Sequence, residues 1–419
     1  MRRLPWLGLC AGGCFFILVT IFWAGSWIFA HFEGTVEPAP EKPREAEQRP
    51  QKLAREDLPK LLGSFETKFF PVSENYAFEN QGSKLTVETS IDSSLQSYIY
   101  RILGRSMTFQ AAVIALRPDN GQVLALANYN KDGRREEEDL CLKADFPAAS
   151  LFKIVAAAAA IEQRGFTPDT NLFFRGKRHT LYRSQLKEGR GRYTRKTTLK
   201  KAFSGSINPV FGKMGIYDLG QSMMNEYASR FLFNQVIPFD LQLAMSNVHV
   251  PEDDFGLAEI ASGFNKRTLV SPLHVALITA AIANQGTMMA PWLVGRVKDE
   301  SGRILYQATP SILANPINEK TAKDLKALMK DTIVAGTCRT AFRPLRRKRL
   351  FKKIELGAKT GTINDSLDQY KYDWLTAYAL PNNGDKGLCL TILAVHGKRL
   401  GIRANDLARH ILNHHFTYK

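Results

Sequence analysis

The chain has 419 residues, of which 44% are hydrophobic and 10% aromatic, which is enough apolar side chain to bury an ordinary core. This composition excludes a wholly disordered protein. The formal net charge of +17 favours anionic partners, but charge alone does not separate nucleic acid from anionic lipid or an acidic polymer.

The first predicted element is a membrane anchor. No Asp, Glu, Lys or Arg occurs from Leu4 to Phe32, and a helix from Leu4 to Ala30 spans about 40 Å, more than the roughly 30 Å of a bilayer core. Arg2 and Arg3 precede this helix, so the positive-inside rule places the N-terminus in the cytoplasm, and the chain is predicted to cross the cytoplasmic (inner) membrane once. The rest of the chain is then extracytoplasmic or periplasmic, and nucleic acid is not expected as a partner.

Residues 1–32 are thus assigned to a cytoplasmic tip and anchor, and three segments follow them. Residues 33–58 combine four prolines with dense mixed charge and are predicted to form an unfolded linker. Residues 59–107 form a short lead-in region, in which Asp92 or Ser93 caps an amphipathic helix. Residues 108–419 form the main domain.

The main domain is predicted to be α+β. Apolar alternation at Ala112–Leu116 and Val123–Leu126 flanks an Asn-Gly turn and predicts an antiparallel hairpin. Helices are predicted at about Ala149–Ile161, Leu273–Ala283 and Glu319–Ile333, and strands at Trp374–Ala379 and Leu388–Val395. This order favours one antiparallel sheet flanked by helices, with an all-helical insertion.

Ser150 and Lys153 open the predicted apolar helix, and their spacing puts the hydroxyl and the amine on one helix face. The helix is apolar on every side, so Lys153 should be largely buried. Desolvation lowers a lysine pKa, which allows the amine to act as a base towards the serine. A capping serine beside a lysine that extends to the surface is the alternative for an isolated S-x-x-K.

Two further motifs follow, and each is weak by itself. Ser206-Ile207-Asn208 is an S-x-N sequence of a kind common in turns, and Lys359-Thr360-Gly361 lies in a run of small residues that continues to Thr362. The order S-x-x-K, S-x-N, K-T-G is the motif set described for serine β-lactamases and penicillin-binding proteins.

From about Leu85 to the C-terminus, the chain resembles a penicillin-binding transpeptidase domain. Besides the three motifs, Gly121–Ala125, Ser271–Leu273, Gly336-Thr337 and Asp373-Trp374 resemble that family in the same order. Residues 108–419 are therefore expected to be a transpeptidase-like catalytic domain.

The resemblance implies roles for individual residues. Ser150 would be the acylated nucleophile, Lys153 its base, and Ser206 with Lys359 a proton relay to the leaving amine. Asn208 would bind the substrate's peptide. The stretch Thr360, Gly361 and Thr362 would bind the substrate's end, with both threonines on its carboxylate and the backbone N–H groups of Ser150 and Thr362 forming the oxyanion hole. No metal and no cofactor are expected.

The function implied is a D,D-transpeptidase acting on peptidoglycan stem peptides, with glycan strands and cell-wall synthesis proteins as further partners and β-lactams as covalent inhibitors. A glycan-polymerising domain is not expected, because too few residues separate the anchor from Thr108. Three alternatives stay open: a D,D-carboxypeptidase, a serine β-lactamase, and a non-hydrolytic β-lactam-binding receptor or scaffold. The β-lactamase is disfavoured because no Glu-x-x-x-Asn element follows the S-x-N.

Two basic stretches and three cysteines remain. Arg175–Lys201 contains eleven Lys or Arg and Arg343–Lys353 contains seven; either they form a track for anionic glycan strands or lipid head groups, or they are solvated surface. Cys141, Cys338 and Cys389 lie outside the predicted anchor, and at least one of the three is unpaired because their number is odd.

Overall fold

A computed structural model describes residues 52–63, 73–80, 82–131, 139–189, 191–365, 367–384 and 386–418. The predicted anchor and most of the predicted linker lie outside these ranges. Within the described ranges, no helix is both long and apolar enough to cross a bilayer.

The strands of the described residues are β1 (Asn75–Asn80), β2 (Ser83–Thr89), β3 (Gln110–Leu116), β4 (Val123–Asn130), β5 (Phe146–Pro147), β6 (Asn171–Phe174), β7 (Arg195–Thr198), β8 (Leu269–Val270), β9 (Met288–Met289), β10 (Val294–Asp299), β11 (Ile304–Gln307), β12 (Ile312–Ala314), β13 (Ile354–Asn364), β14 (Lys371–Pro381) and β15 (Leu388–His396).

The α-helices are α1 (Leu58–Gly63), α2 (Ser93–Gly104), α3 (Lys153–Arg164), α4 (Arg183–Leu186), α5 (Leu199–Ser204), α6 (Asn208–Lys213), α7 (Gly220–Arg230), α8 (Asp254–Ser262), α9 (Pro272–Ala283), α10 (Glu319–Val334), α11 (Arg339–Arg347) and α12 (Ala404–Thr417). Short 3-10 turns occupy Arg55–Asp57, Ala149–Phe152 and Leu350–Lys353, and a π-turn occupies Met214–Leu219.

The central sheet has the strand order β13-β14-β15-β3-β4 and is antiparallel throughout. Alternate side chains enter two hydrophobic clusters: one face packs towards α3 and α9, and the other towards α2, α11 and α12. Every residue of β15 is buried, which explains why its sequence is apolar at all positions but Thr391 and His396 rather than alternating.

A second sheet has the order β1-β2-β10-β11. It pairs strands of the predicted lead-in region with strands about two hundred residues later in the chain, for example Val87 opposite Val297. Asp92 caps α2 by accepting a 3.0 Å hydrogen bond from the backbone N–H of Leu95, one of the two caps predicted. The boundary between residues 59–107 and 108–419 stays a prediction.

The α+β prediction is confirmed as a mixed fold of antiparallel sheets and helices, but the inserted region is not all-helical. It contains the antiparallel hairpin β6–β7 as well as α4 to α8. Each strand of this hairpin has only four residues: β6 reads Asn-Leu-Phe-Phe and β7 reads Arg-Lys-Thr-Thr. Neither sequence has the alternating apolar pattern by which strands are recognised.

The helix predicted from Ala149 begins later than expected. Ala149–Phe152 forms a 3-10 turn, and the α-helix α3 starts only at Lys153. Ala149 has φ +49°, a left-handed conformation that an α-helix excludes. Ser150 therefore lies in a turn ahead of the helix rather than in its first α-helical turn.

Candidate active site

A cleft of about 630 Å³ lies beside the edge strand β13 of the central sheet. Ser150, Ser206, Asn208, Thr360 and Thr362 all line it. The side chains of Lys153 and Lys359 are fully buried next to this lining. The structure thus brings the three sequence motifs together from distant parts of the chain.

Small residues allow the turn that carries Ser150 to fit between α8 and β13. Gly263 ends α8 with φ +62°, and a Cβ atom there would lie 1.8 Å from the carbonyl oxygen of Ala149. On the other side, a Cβ atom at Gly361 would lie 3.2 Å from that of Ala149. The indole N–H of Trp374 donates a 3.0 Å hydrogen bond to Pro147, which fixes the approach to the turn.

Replacing Gly263 with alanine is expected to destabilise the fold, and Gly165 offers a matched control. Gly165 ends α3 in the same left-handed conformation, with φ +65°, but no atom lies within 4 Å of a Cβ there. Gly165→Ala should cost about 1–2 kcal/mol of backbone strain. Gly263→Ala adds a clash with backbone and should cost clearly more. Chemical denaturation measures both, and equal losses would contradict this account of the turn.

Lys153 is the centre of the polar contacts. Its Nζ lies 2.8 Å from Ser150 Oγ and 2.8 Å from Asn208 Oδ1, and it also donates to the carbonyl oxygen of Ser262. Burial lowers the pKa of Lys153 well below its ordinary value, and the positive charge of Lys359 lowers it further. No carboxylate is among these contacts, so the arrangement favours a neutral amine.

Lys359 forms the second half of the site. Its Nζ donates to Ser206 Oγ at 3.2 Å and to the carbonyl oxygen of Thr360 at 2.8 Å. Burial lowers its pKa to about 7, so both charge states are accessible near neutral pH. Ser206 has φ +50°, and its backbone N–H donates to Phe203 in the turn between α5 and α6.

The strand β13 continues the cleft with hydroxyl groups. Thr360 Oγ1 lies 2.7 Å from the hydroxyl of Thr337, and both residues line the cleft with Thr362. Hydroxyls beside a lysine suit a carboxylate ligand. Gly361 lies between Thr360 and Thr362 on the strand, so its side-chain position is on the opposite face, towards the turn at Ala149 rather than towards the cleft.

Asp373 also lines the cleft. Burial raises its pKa, but the interactions with His396 and Arg403 outweigh burial and hold the pKa below its ordinary value. Arg403 donates to both carboxylate oxygens, from Nε at 2.6 Å and from Nη2 at 3.3 Å, and the backbone N–H of Ala404 donates at 3.2 Å. This carboxylate is engaged in a structural ion pair.

Sequence reasoning missed His179 and Arg403, both of which line the cleft. Nδ1 of His179 lies 3.2 Å from the carbonyl oxygen of Ser206. Desolvation lowers the pKa of His179, and the charges of Lys153, Arg178 and Lys359 lower it further. The hydrogen bond that the imidazole donates to the carbonyl oxygen of Ser206 opposes this by raising the pKa. A lone histidine in a basic stretch carries no periodic signal, so only its position in space marks it.

The three described cysteines are buried and unpaired. Burial raises the pKa of the Cys338 thiol to about 12, and it also raises the pKa of Cys141 and Cys389. A protonated, buried thiol is a poor nucleophile, so the hydroxyl of Ser150 is the better candidate.

The chain also matches known proteins in sequence. The family described as "Penicillin binding protein transpeptidase domain" matches residues 111–412. The peptidoglycan D,D-transpeptidase PbpA of Mycolicibacterium smegmatis is 24% identical over an alignment of 356 residues that covers 77% of this chain and 70% of that protein. Penicillin-binding protein 1A of Neisseria lactamica is 24% identical over an alignment of 272 residues that covers 62% of this chain and only 30% of that protein.

Solved structures share the fold. Penicillin-binding protein A from M. tuberculosis, as an imipenem acyl-enzyme complex, has a TM-score of 0.64 at 21% identity, and the match covers 78% of each chain. The D,D-transpeptidase domain of a peptidoglycan glycosyltransferase from Eggerthella lenta has a TM-score of 0.62 at 21% identity and covers 78% of this chain and 82% of that one.

Proposed function

This chain belongs to the penicillin-binding protein transpeptidase domain family, which makes it a serine-type D,D-transpeptidase by enzyme class, and from that premise we propose that it cross-links peptidoglycan stem peptides through an acyl-enzyme on Ser150. The observation that carries the proposal is the contact between Ser150 Oγ and a buried amine that has no acidic partner among the described residues.

Hydrogen-bond counting supports a role for Lys153 as the base. A neutral amine has two N–H donors and one lone pair. Asn208 Oδ1 and the carbonyl oxygen of Ser262 can only accept, so they take both N–H groups. The lone pair is left for the hydroxyl of Ser150, which donates its proton to Nζ and attacks the carbonyl carbon of the penultimate D-Ala.

Departure of the terminal D-Ala requires a proton on its nitrogen. Ser206 Oγ faces the cleft and is hydrogen-bonded to Lys359, whose pKa of about 7 suits proton transfer near neutral pH. We assign this pair as the relay. Thr360 and Thr362 hold the terminal carboxylate. The amide NH₂ of Asn208 donates to the peptide, since its Oδ1 already accepts from Lys153.

The placement of the acidic residues in the cleft disfavours hydrolysis of the acyl-enzyme by water, which supports a transpeptidase over a β-lactamase. Among the described residues, the carboxylates that line the cleft are Asp368 and Asp373. Asp368 forms an ion pair with Lys266 at 3.8 Å, and Asp373 is held by Arg403. Neither has a contact with Ser150, so neither is positioned to activate a deacylating water beside it.

A paired measurement on the full chain tests this proposal. We expect penicillin to give one long-lived adduct, seen by intact mass, with negligible steady-state consumption of the drug by absorbance. A D-Ala-D-Ala peptide should instead lose its terminal D-Ala and be transferred to an added amine. Rapid penicillin consumption without a lasting adduct would favour a β-lactamase, release to water alone a carboxypeptidase, and no adduct a scaffold.

We further propose that the chain is anchored in the cytoplasmic membrane by Leu4–Ala30, with the catalytic domain outside. The support is the uncharged run from Leu4 to Phe32 behind Arg2 and Arg3. Release of the protein from membranes by an alkaline carbonate wash would contradict the anchor.

A further inference from the structure

A second, more open groove of about 770 Å³ adjoins the active-site cleft. It lies on the segment that includes the β6–β7 hairpin, and its lining includes Lys177, Arg178, His179, Arg192, Tyr193 and Arg195. Among the residues that the structure describes, none of the side chains lining it is acidic. The groove therefore carries a concentrated positive charge.

The groove is attached directly to the S-x-N motif. His179 lines both the groove and the cleft, and its Nδ1 lies 3.2 Å from the carbonyl oxygen of Ser206. The backbone N–H of Asn208 donates a 2.7 Å hydrogen bond to the carbonyl oxygen of Arg178. A peptide bound at Asn208 thus has the groove as its next contact surface on the His179 side.

Lys177, Arg178 and Arg192 are exposed cations of the groove, and Arg178 is also tied by its backbone carbonyl to Asn208 of the cleft. The guanidinium of Arg195 is already used, because it donates to the carbonyl oxygen of Gly176 and lies 4.5 Å from the ring centroid of Phe174. Lys177 and Arg192 are exposed and form no ion pair within the described ranges. Tyr193 is 77% exposed beside them and offers apolar contact area.

We propose that this groove binds the carboxylate-bearing part of the acyl-donor peptide, upstream of its D-Ala-D-Ala end, through Lys177 and Arg192. The proposal rests on the proposed function and deepens it by naming an acidic donor as the preferred substrate. The groove is continuous with the cleft at His179, close to Ser206 and Asn208. This favours a peptide over a lipid head group, because a peptide bound in the cleft can extend into the groove, whereas lipid binding would not need a groove that opens into the cleft.

Equilibrium binding to the full chain carrying Ser150→Ala tests the groove without turnover. Two acetylated pentapeptides ending in D-Ala-D-Ala are compared by calorimetry, one with Glu at its second and third positions and one with Gln there. We expect the Glu peptide to bind about tenfold more tightly, an effect within reach of two exposed charge contacts. Lys177→Gln with Arg192→Gln should reduce this ratio to about one.

The matched control is Arg347→Gln with Lys352→Gln, which also removes one arginine and one lysine charge, but from the other basic stretch, Arg343–Lys353. Both residues are exposed, and neither lines the cleft or the groove. This control should keep the tenfold ratio, because the contacts lie elsewhere. Circular dichroism of each variant verifies that it folds, and the ratio of the two peptides cancels any general loss of affinity.

Equal binding of the two peptides to the parent chain, or a ratio that survives Lys177→Gln with Arg192→Gln, would overturn the proposal. A loss of binding to vesicles of anionic lipid in that double variant, with the peptide ratio intact, would reassign the groove to a lipid surface. Failure of the proposed function appears separately: the chain with Ser150 present would release no D-Ala from either peptide, while the binding ratio still reports on the groove.

Discussion

Replacing Ser150 with alanine is expected to abolish covalent labelling by penicillin completely. The hydroxyl is the nucleophile in the proposed reaction, and the buried thiols of the described cysteines have raised pKa values. The fold should survive. Lys153 keeps Asn208 Oδ1 and the carbonyl oxygen of Ser262, so the change removes one hydrogen bond, worth about 1 kcal/mol. Intact mass after exposure to the drug measures the adduct.

Ser206→Ala is the control for this loss. Ser206 lines the same cleft, but its hydroxyl contacts Lys359 rather than Lys153. The variant keeps the nucleophile and its base, so it should still form the single adduct, although more slowly because the relay is broken. An adduct that persists in Ser150→Ala would show that another side chain is acylated.

Replacing Lys153 with alanine should slow acylation by about 10²–10⁴-fold, the usual contribution of a general base within hydrogen-bond reach. Lys352→Ala is the matched control, because this exposed lysine of the basic stretch acts on the cleft only through a screened charge. Stopped-flow rates with a chromogenic β-lactam compare the two. Near-normal acylation in Lys153→Ala would require a different base.

The pH profile gives an independent measure of the same base. Burial and the charge of Lys359 lower the pKa of Lys153, so lowering the pH protonates the free amine and should slow acylation. Raising the pH restores the neutral form and the rate. Lys153→Ala should lose this acidic limb. Lys153→Ala leaves Asn208 Oδ1 and the carbonyl oxygen of Ser262 without their donor, so its thermal unfolding is measured together with the rates. The pH profile of the wild-type chain tests the base even if this variant is unstable.

The local parts of the site could be predicted from sequence. The contact between Ser150 and Lys153 follows from a spacing of three residues, and the burial of Lys153 follows from the apolar residues around it. The central strands and α9 were also readable, because their runs of apolar residues are long. Asp92 was one of the two residues predicted to cap α2, because both precede its apolar pattern.

The features that could not be predicted from sequence depend on contacts between residues far apart in the chain. The left-handed φ of Ala149 is a conformation that alanine avoids by itself, and it occurs where Gly263 and Gly361 leave space for the turn. The pairing of β2 with β10 joins two strands about two hundred residues apart in sequence, and no local pattern specifies that partner. His179 enters the site only through the path of its loop.

The buried amines have a consequence for how the protein matures. Lys153 contacts Asn208 and Ser262, 55 and 109 residues away in sequence, and Lys359 contacts Ser206 across 153 residues. These contacts join the inserted region to α3 and to β13, so a collapsed chain with correct secondary structure but an undocked insertion lacks the contacts proposed to activate Ser150. If the proposed acylation of Ser150 holds, covalent capture of penicillin reports completed folding. It would then separate mature molecules from partly folded ones that antibodies or spectroscopy count together.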